Sequence, residues 1–251
     1  VATKSVKEAS SEVDFVVTMV PVGSNVREIF LEDGILAAAA PGTVMIDSST
    51  IDVGSAQAVH EAAKSAGFNM IDAPVSGGVI GADAGTLTFM CGGDKESFEK
   101  AKPILQGMGK NIVHCGSGGL GQATKICNNM LAGINALAAA EAMTMGERLG
   151  VSPDILYEVI STSTGRSYIF ETSNPMPDVC STSPANNKFK PGFMAKLMLK
   201  DLRLSQAAAQ DAKTSTPLGA AATAAFQQLI DSGFGDLDTS SIIKVIKPES
   251  K

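Results

Sequence analysis

Lys125 and Asn129 are four residues apart in a stretch that reads as helix, so their side chains share one face, one turn apart. An amine in apolar surroundings near a helix N-terminus has its neutral form favoured, by burial and by the dipole. A neutral amine can take a proton from a hydroxyl, and an ammonium can return one to a carbonyl. For an isolated pair, a solvated lysine beside a polar asparagine is the commoner arrangement. Ser76-Gly77-Gly78 leaves a strand end, and its glycines free backbone N–H groups for a small anion such as a carboxylate. Gly81 and Gly85 continue that loop, and an ordinary glycine-rich turn fits it as well. Asp47-Ser48-Ser49-Thr50 also follows a strand, where open α/β sheets bind ligands. Its hydroxyls could reach a ribose, although Ser49 or Thr50 would serve equally as a helix cap. Phe193 and Lys200 are two turns apart on one face, a ring and a cation that could cover a flat ring system. A core phenylalanine with a surface lysine is the plainer reading of that pair.

The elements that must position these groups fall into two kinds. Over the first 115 residues, apolar strands at 14–20, 43–47, 68–73, 86–91 and 111–115 alternate with helical stretches at 3–12, 25–40, 53–66 and 95–105. Ser24 is the candidate N-cap of the second helix and Gly67 closes the third. Such alternation implies a mostly parallel sheet covered on both faces. After Gly116 the pattern is helical throughout, with one long helix at 121–149 and others at 152–161, 194–213, 220–232 and 239–246. A loop rich in Pro, Ser and Asn at 173–192 interrupts them; loops of that length inside a domain are more often functional than idle. The expected division is 1–117, a dinucleotide-binding α/β domain, and 118–251, an all-α substrate and oligomerisation domain entered by the long helix.

Net charge is −6 with no long basic run, which argues against nucleic acid and anionic membranes as partners. Cys91, Cys115, Cys127 and Cys180 form no CxxC pair, and His60 and His114 are too scattered for a histidine zinc site, so no metal is expected. The weakly polar stretch 130–145 falls short of a membrane span, and neither end, including 247–251, carries a recognised address.

Taken in order, Thr18-Met19-Val20-Pro21, Asp47-Ser48-Ser49-Thr50, Asp72-Ala73-Pro74-Val75-Ser76-Gly77-Gly78, Gly121-Gln122-Ala123-Thr124-Lys125-Ile126-Cys127-Asn128-Asn129 and Lys200-Asp201-Leu202 resemble the β-hydroxyacid dehydrogenases. Ser163-Thr164-Gly165-Arg166, Asn174-Pro175-Met176-Pro177 and Ser183-Pro184-Ala185-Asn186-Asn187 look most like its 3-hydroxyisobutyrate dehydrogenase branch. The resemblance implies NAD as cofactor and oxidation of 3-hydroxyisobutyrate to methylmalonate semialdehyde, a step of valine breakdown. It implies Lys125 as acid/base, Asn129 as the residue orienting substrate, and Ser76, Gly77 and Gly78 around the substrate carboxylate. Val20, Pro21, Asn25 and Thr50 would contact the cofactor, with Phe193 and Lys200 at the nicotinamide. A homo-oligomer is implied, in the mitochondrial matrix of a eukaryote or the cytoplasm of a bacterium. Reduction of tartronate or succinate semialdehyde, or a non-catalytic subunit assembling with intact enzyme, are the alternatives.

The family begins with a strand leading into Gly-x-Gly-x-x-Gly, which the sequence read from Val1 does not contain ahead of its 14–20 strand. The expectation is a partial Rossmann-type parallel sheet lacking its first βαβ unit, with 14–20 as an exposed edge, weak NAD binding and poor turnover. Gly116-Ser117-Gly118-Gly119-Leu120-Gly121 fits that glycine spacing and follows a strand. Because it opens the helix carrying Lys125, it reads as a domain hinge rather than a pyrophosphate loop.

Overall fold

Residue alternation along the strands sets the layering of the α/β part. In the computed structural model, which describes residues 2–32 and 34–247, strand β2 (Val44–Asp47) is buried along its whole length. Its Met45 joins a core with Val26, Phe30, Val59 and Ala63, while Val44 and Ile46 join a second with Phe89, Phe98 and Leu105. Successive side chains of a strand point to opposite faces, so two cores on two faces mean helices on both sides. Val1, from which the missing-unit expectation starts, and 248–251, read above for sorting signals, lie outside the described residues.

The sheet has six strands in the order β1 (Phe15–Thr18), β2, β3 (Asn69–Asp72), β5 (Leu87–Gly92), β4 (Val75–Ser76), with β6 (Gly109–Gly116) also pairing β5. β1, β2 and β3 run parallel in register, Thr18 beside Asp47 and Asp47 beside Asp72, and β5 and β6 run parallel to each other. β1 is an edge among the described residues, and Val17 is exposed there.

The sheet departs from the parallel expectation at its middle. β5 is antiparallel to β3 and to the two-residue β4. Only residues 77–86 separate β4 from β5, and a parallel crossover needs about a dozen or more. That stretch, expected as loop, contains the short helix α5 (Gly78–Asp83).

Of the other helices before β6, α1 is Val6–Ser10, α4 is Val53–Ser65 and α6 is Lys95–Gln106. The helix expected over 25–40 is broken into α2 (Gly23–Arg27), a π-helical turn (Glu28–Glu32) and α3 (Ile35–Ala38), because Gly34 stands left-handed ahead of α3. Ser24 does not cap it; Val22 holds that position without a side-chain bond. Neither Ser49 nor Thr50 caps α4: the cap is Asp52, which accepts from the Ser55 N–H at 2.7 Å. Gly67 follows α4 left-handed, as a helix-closing glycine does.

The long helix α7 is Leu120–Arg148, and the chain divides inside it into two compact units, Val1–Cys127 and Asn128–Lys251. The second unit adds α8 (Pro153–Ser161), α9 (Tyr168–Thr172), α10 (Ala195–Asp211), α11 (Pro217–Asp231), a 3-10 turn (Thr239–Ile242) and α12 (Ile243–Ile246). Met143, Met198, Leu202, Phe226 and Leu229 form its core. The 173–192 loop is ordered around a 3-10 turn, Pro184–Asn187, whose cap Ser183 donates its hydroxyl to the Asn174 carbonyl. No described helix is long and apolar enough to cross a membrane.

Candidate active site

The strand ends of the first unit converge on a network of buried polar groups. Asp47, at the end of β2, accepts from the Thr18 hydroxyl at 2.8 Å, the Ser49 hydroxyl at 2.6 Å and the Ser49 N–H at 3.2 Å. Burial pushes its carboxyl above the usual range, and these bonds offset only part of that rise. The Ser49 hydroxyl in turn accepts from the Val20 N–H at 2.9 Å. The loop after β1 is thereby tied to the loop after β2, and Val20 lies close to the neighbour of Thr50. Val20, Asn25 and Thr50 are half-buried and Pro21 is exposed.

Asp72, at the end of β3, is fully buried and binds the start of α7. It accepts from the Gly119 N–H at 2.7 Å and the Gln122 N–H at 2.8 Å, and pairs with His60 Nε2 at 2.8 Å. These are helix-start donors that a phosphate would need. A Cβ at Gly121 would lie 2.3 Å from the Met90 carbonyl oxygen and 2.6 Å from that of Asp72, so the glycine serves close backbone approach. The 116–121 glycine run is thus filled by the protein's own carboxylate and strands, and offers no pyrophosphate loop.

Lys125, one turn further along α7, is 7% exposed, and Asn129 is 5% exposed one turn beyond it. In the second unit, Asn129 Nδ2 donates to Asp201 Oδ2 at 2.6 Å, and its carbonyl accepts from Asn128 Nδ2 at 2.9 Å. Lys200 lies 3.2 Å from the other Asp201 oxygen. Phe193 is half-buried on the edge of the second unit's core, and its N–H is held by Asp238 at 3.0 Å.

Ser76 ends β4, half-buried, and Gly77 and Gly78 are exposed. Gly77 has φ +137°, a conformation that a side chain would strain, and the turn into α5 depends on it. In the strand order, β2, β3 and β5 separate β4 from β1, whereas Val20 and Ser49 are in direct contact. Three residues with no role in the sequence argument emerge as organisers: Asp72, Gln122 and Asp201. Each was legible only as part of a motif, since the partners that reveal its role lie far off in sequence: Gly119 is 47 residues from Asp72, Ser49 is 73 from Gln122 and Asn129 is 72 from Asp201. The four cysteines are free thiols, and burial pushes that of Cys91 up to about 12.

For a dinucleotide, the ends of β1 and β2 are chemically apt: the hydroxyl-bearing residues 48–50 lie at the carboxyl ends of adjacent parallel strands. The Ser48 hydroxyl is buried there with no hydrogen-bond partner among the described residues.

Comparison with known proteins identifies the family. Residues 1–116 match the family model described as the NAD binding domain of 6-phosphogluconate dehydrogenase. Residues 119–246 match that described as NAD-binding of NADP-dependent 3-hydroxyisobutyrate dehydrogenase. The chain is 43% identical over 248 residues to the NAD-dependent L-serine dehydrogenase of Pseudomonas aeruginosa, covering 98% of this chain and 83% of that one. It is 45% identical over 244 residues to a probable 3-hydroxyisobutyrate dehydrogenase of Mycobacterium bovis, covering 97% and 82%. The solved structure of Mycobacterium tuberculosis 3-hydroxyisobutyrate dehydrogenase with L-serine superposes with TM-score 0.92 at 44% identity, over 98% of this chain and 83% of that one.

Proposed function

This chain belongs to the 3-hydroxyisobutyrate dehydrogenase family of NAD(P)-dependent oxidoreductases, and from that premise we propose that it oxidises 3-hydroxyisobutyrate to the semialdehyde, using NAD+ and Lys125 as the acid/base. The observation that carries the reading is the burial of Lys125 and Asn129 on one face of α7, whose first turn is bound to the strand ends.

NAD+, when bound, would supply the hydride acceptor for the reaction. Lys125 takes the substrate hydroxyl proton in oxidation and returns one to the carbonyl oxygen in the reverse direction. Asn129 has one amide hydrogen committed to Asp201; its second holds the substrate oxygen. The Ser76 hydroxyl and the Gly77 and Gly78 N–H groups hold the substrate carboxylate. Val20, Pro21, Asn25 and Thr50 contact the cofactor, as do Phe193 and Lys200 in the roles carried over from the family.

L-serine is a second candidate substrate, favoured by the relative named for it and by the neighbour solved with it. Both acids present a primary hydroxyl β to a carboxylate and differ by methyl against ammonium, so one proton-transfer device suits either. Measuring NAD+ reduction with each acid, for the unmodified chain and for Lys125→Met, tests the reading. Loss of general acid/base catalysis should lower kcat by about 10²–10⁴ with either substrate. A Lys125→Met variant that keeps kcat within about tenfold would sink the assignment.

A further inference from the structure

Gln122 is fully buried on the first turn of α7, one turn before Lys125. Its side-chain amide donates from Nε2 to the Ser49 carbonyl at 2.7 Å and accepts at Oε1 from the Ile51 N–H at 3.0 Å. Ser49 and Ile51 flank Thr50. The glutamine amide therefore pairs with the backbone on both sides of that residue, as a peptide group of a neighbouring strand would. Its own N–H is held by Asp72 at 2.8 Å, which fixes the base of the side chain to the end of β3. We propose that Gln122 is a positioning residue that sets Thr50 relative to Lys125, and so sets where the cofactor is held relative to the proton-transfer group. The proposal rests on the assignment of Thr50 to the cofactor and of Lys125 to proton transfer.

The chemistry of the clamp is specific to this side chain. It needs a donor and an acceptor at once, at the reach of a four-atom arm. Glutamate keeps the acceptor for Ile51 but turns a carboxylate oxygen toward the Ser49 carbonyl. Methionine keeps the volume and loses both bonds. Asparagine is a methylene too short. A buried amide and carbonyl left without partners would relax toward other geometries, taking Thr50 with them.

The test uses the full chain and four variants, Gln122→Met, Gln122→Glu, Thr50→Ala and the Thr50→Ala/Gln122→Met pair. NAD+ affinity is measured by titration calorimetry, with kcat, both KM values, apo Tm and amide exchange at Ile51 alongside. Gln122→Met should weaken NAD+ binding about tenfold, the scale of one or two lost hydrogen bonds, and raise KM for NAD+ more than KM for the hydroxy acid. Ile51 exchange should quicken. If Gln122 acts through Thr50, the pair should bind NAD+ no more than about twofold worse than its weaker single variant. Gln122→Glu, which retains one bond, should fall between, and it carries the test if the methionine variant does not fold. A lower Tm with unmoved NAD+ affinity, while Thr50→Ala weakens binding, would overturn the proposal alone; multiplied losses in the pair would do the same. Unmoved affinity in Thr50→Ala, or no binding by the unmodified chain, would remove the cofactor assignment and the proposal together.

Discussion

Hydroxyls and amides can hold a buried carboxylate, and Asp47 shows how far that goes. Burial raises its pKa more than Thr18 and Ser49 lower it, and nearby Asp72 raises it further. A raised carboxyl favours the protonated form in the folded state. Its contribution is therefore fully present below the unfolded value and is lost as pH rises through the folded one. Asp47→Asn removes that term, so the stability of the unmodified protein relative to the variant should fall as pH rises from about 4, the unfolded value. Thermal unfolding across that rise reads it; a constant difference would refute the sign. Asp94 titrates the other way. The Ser97 N–H, at 2.8 Å, holds its carboxyl below the usual range as the cap of α6. Asp94→Ala should cost about 1 kcal/mol near neutral pH. In urea titrations that cost should vanish as pH falls through the lowered pKa, because the protonated cap is already weakened in the parent.

Elements were legible where a single pattern ran long enough. The 29 residues of α7 form one long helical run, and β2 is a short apolar run, so each is recognisable within a single window. The spacing of Lys125 and Asn129 is likewise local, which is why the candidate site could be centred on them from sequence. What the sequence hid depends on distant partners or on single backbone angles. β4 and α5 hang on Gly77 at φ +137°, and no periodicity announces a two-residue strand. The Asp72 cap of α7 joins residues 47 apart, so no window could contain it. The start of α7 supplies a test at this scale. Replacing Gly121 with alanine should gain up to about 1 kcal/mol of helix propensity. The new Cβ would meet two backbone carbonyls at 2.3 and 2.6 Å, and neither can swing aside like a side chain. The clash should dominate, with a net loss of at least about 2 kcal/mol in denaturant unfolding and a fall in kcat as Lys125 shifts with the helix. Stabilisation of Gly121→Ala would mean that this helix start is looser than its close approach to those carbonyls implies.

At the scale of the molecule, the two compact units have separate cores but share one helix. Phe89 and Phe98 pack with Leu105 in the first, Phe226 and Leu229 with Leu202 in the second. The beginning of α7 is bound to the first unit through Asp72 and Gln122, whereas Ala136, Ala139 and Met143 on the same helix belong to the second core. Truncating a buried phenylalanine costs about 3–5 kcal/mol, enough to unfold the unit that contains it without touching the other if they are energetically distinct. Phe226→Ala should then quicken amide exchange in α10, α11 and the part of α7 from Asn128 onward, leaving β1 to β3 protected. Phe89→Ala should do the reverse, and release the first turns of α7 together with β5. Lys125 and Asn129 stand on opposite sides of that division, so their exchange should respond to different mutations although they are one turn apart. If either substitution releases every helix and strand together, the two cores are a single cooperative unit and the helix between them transmits the loss.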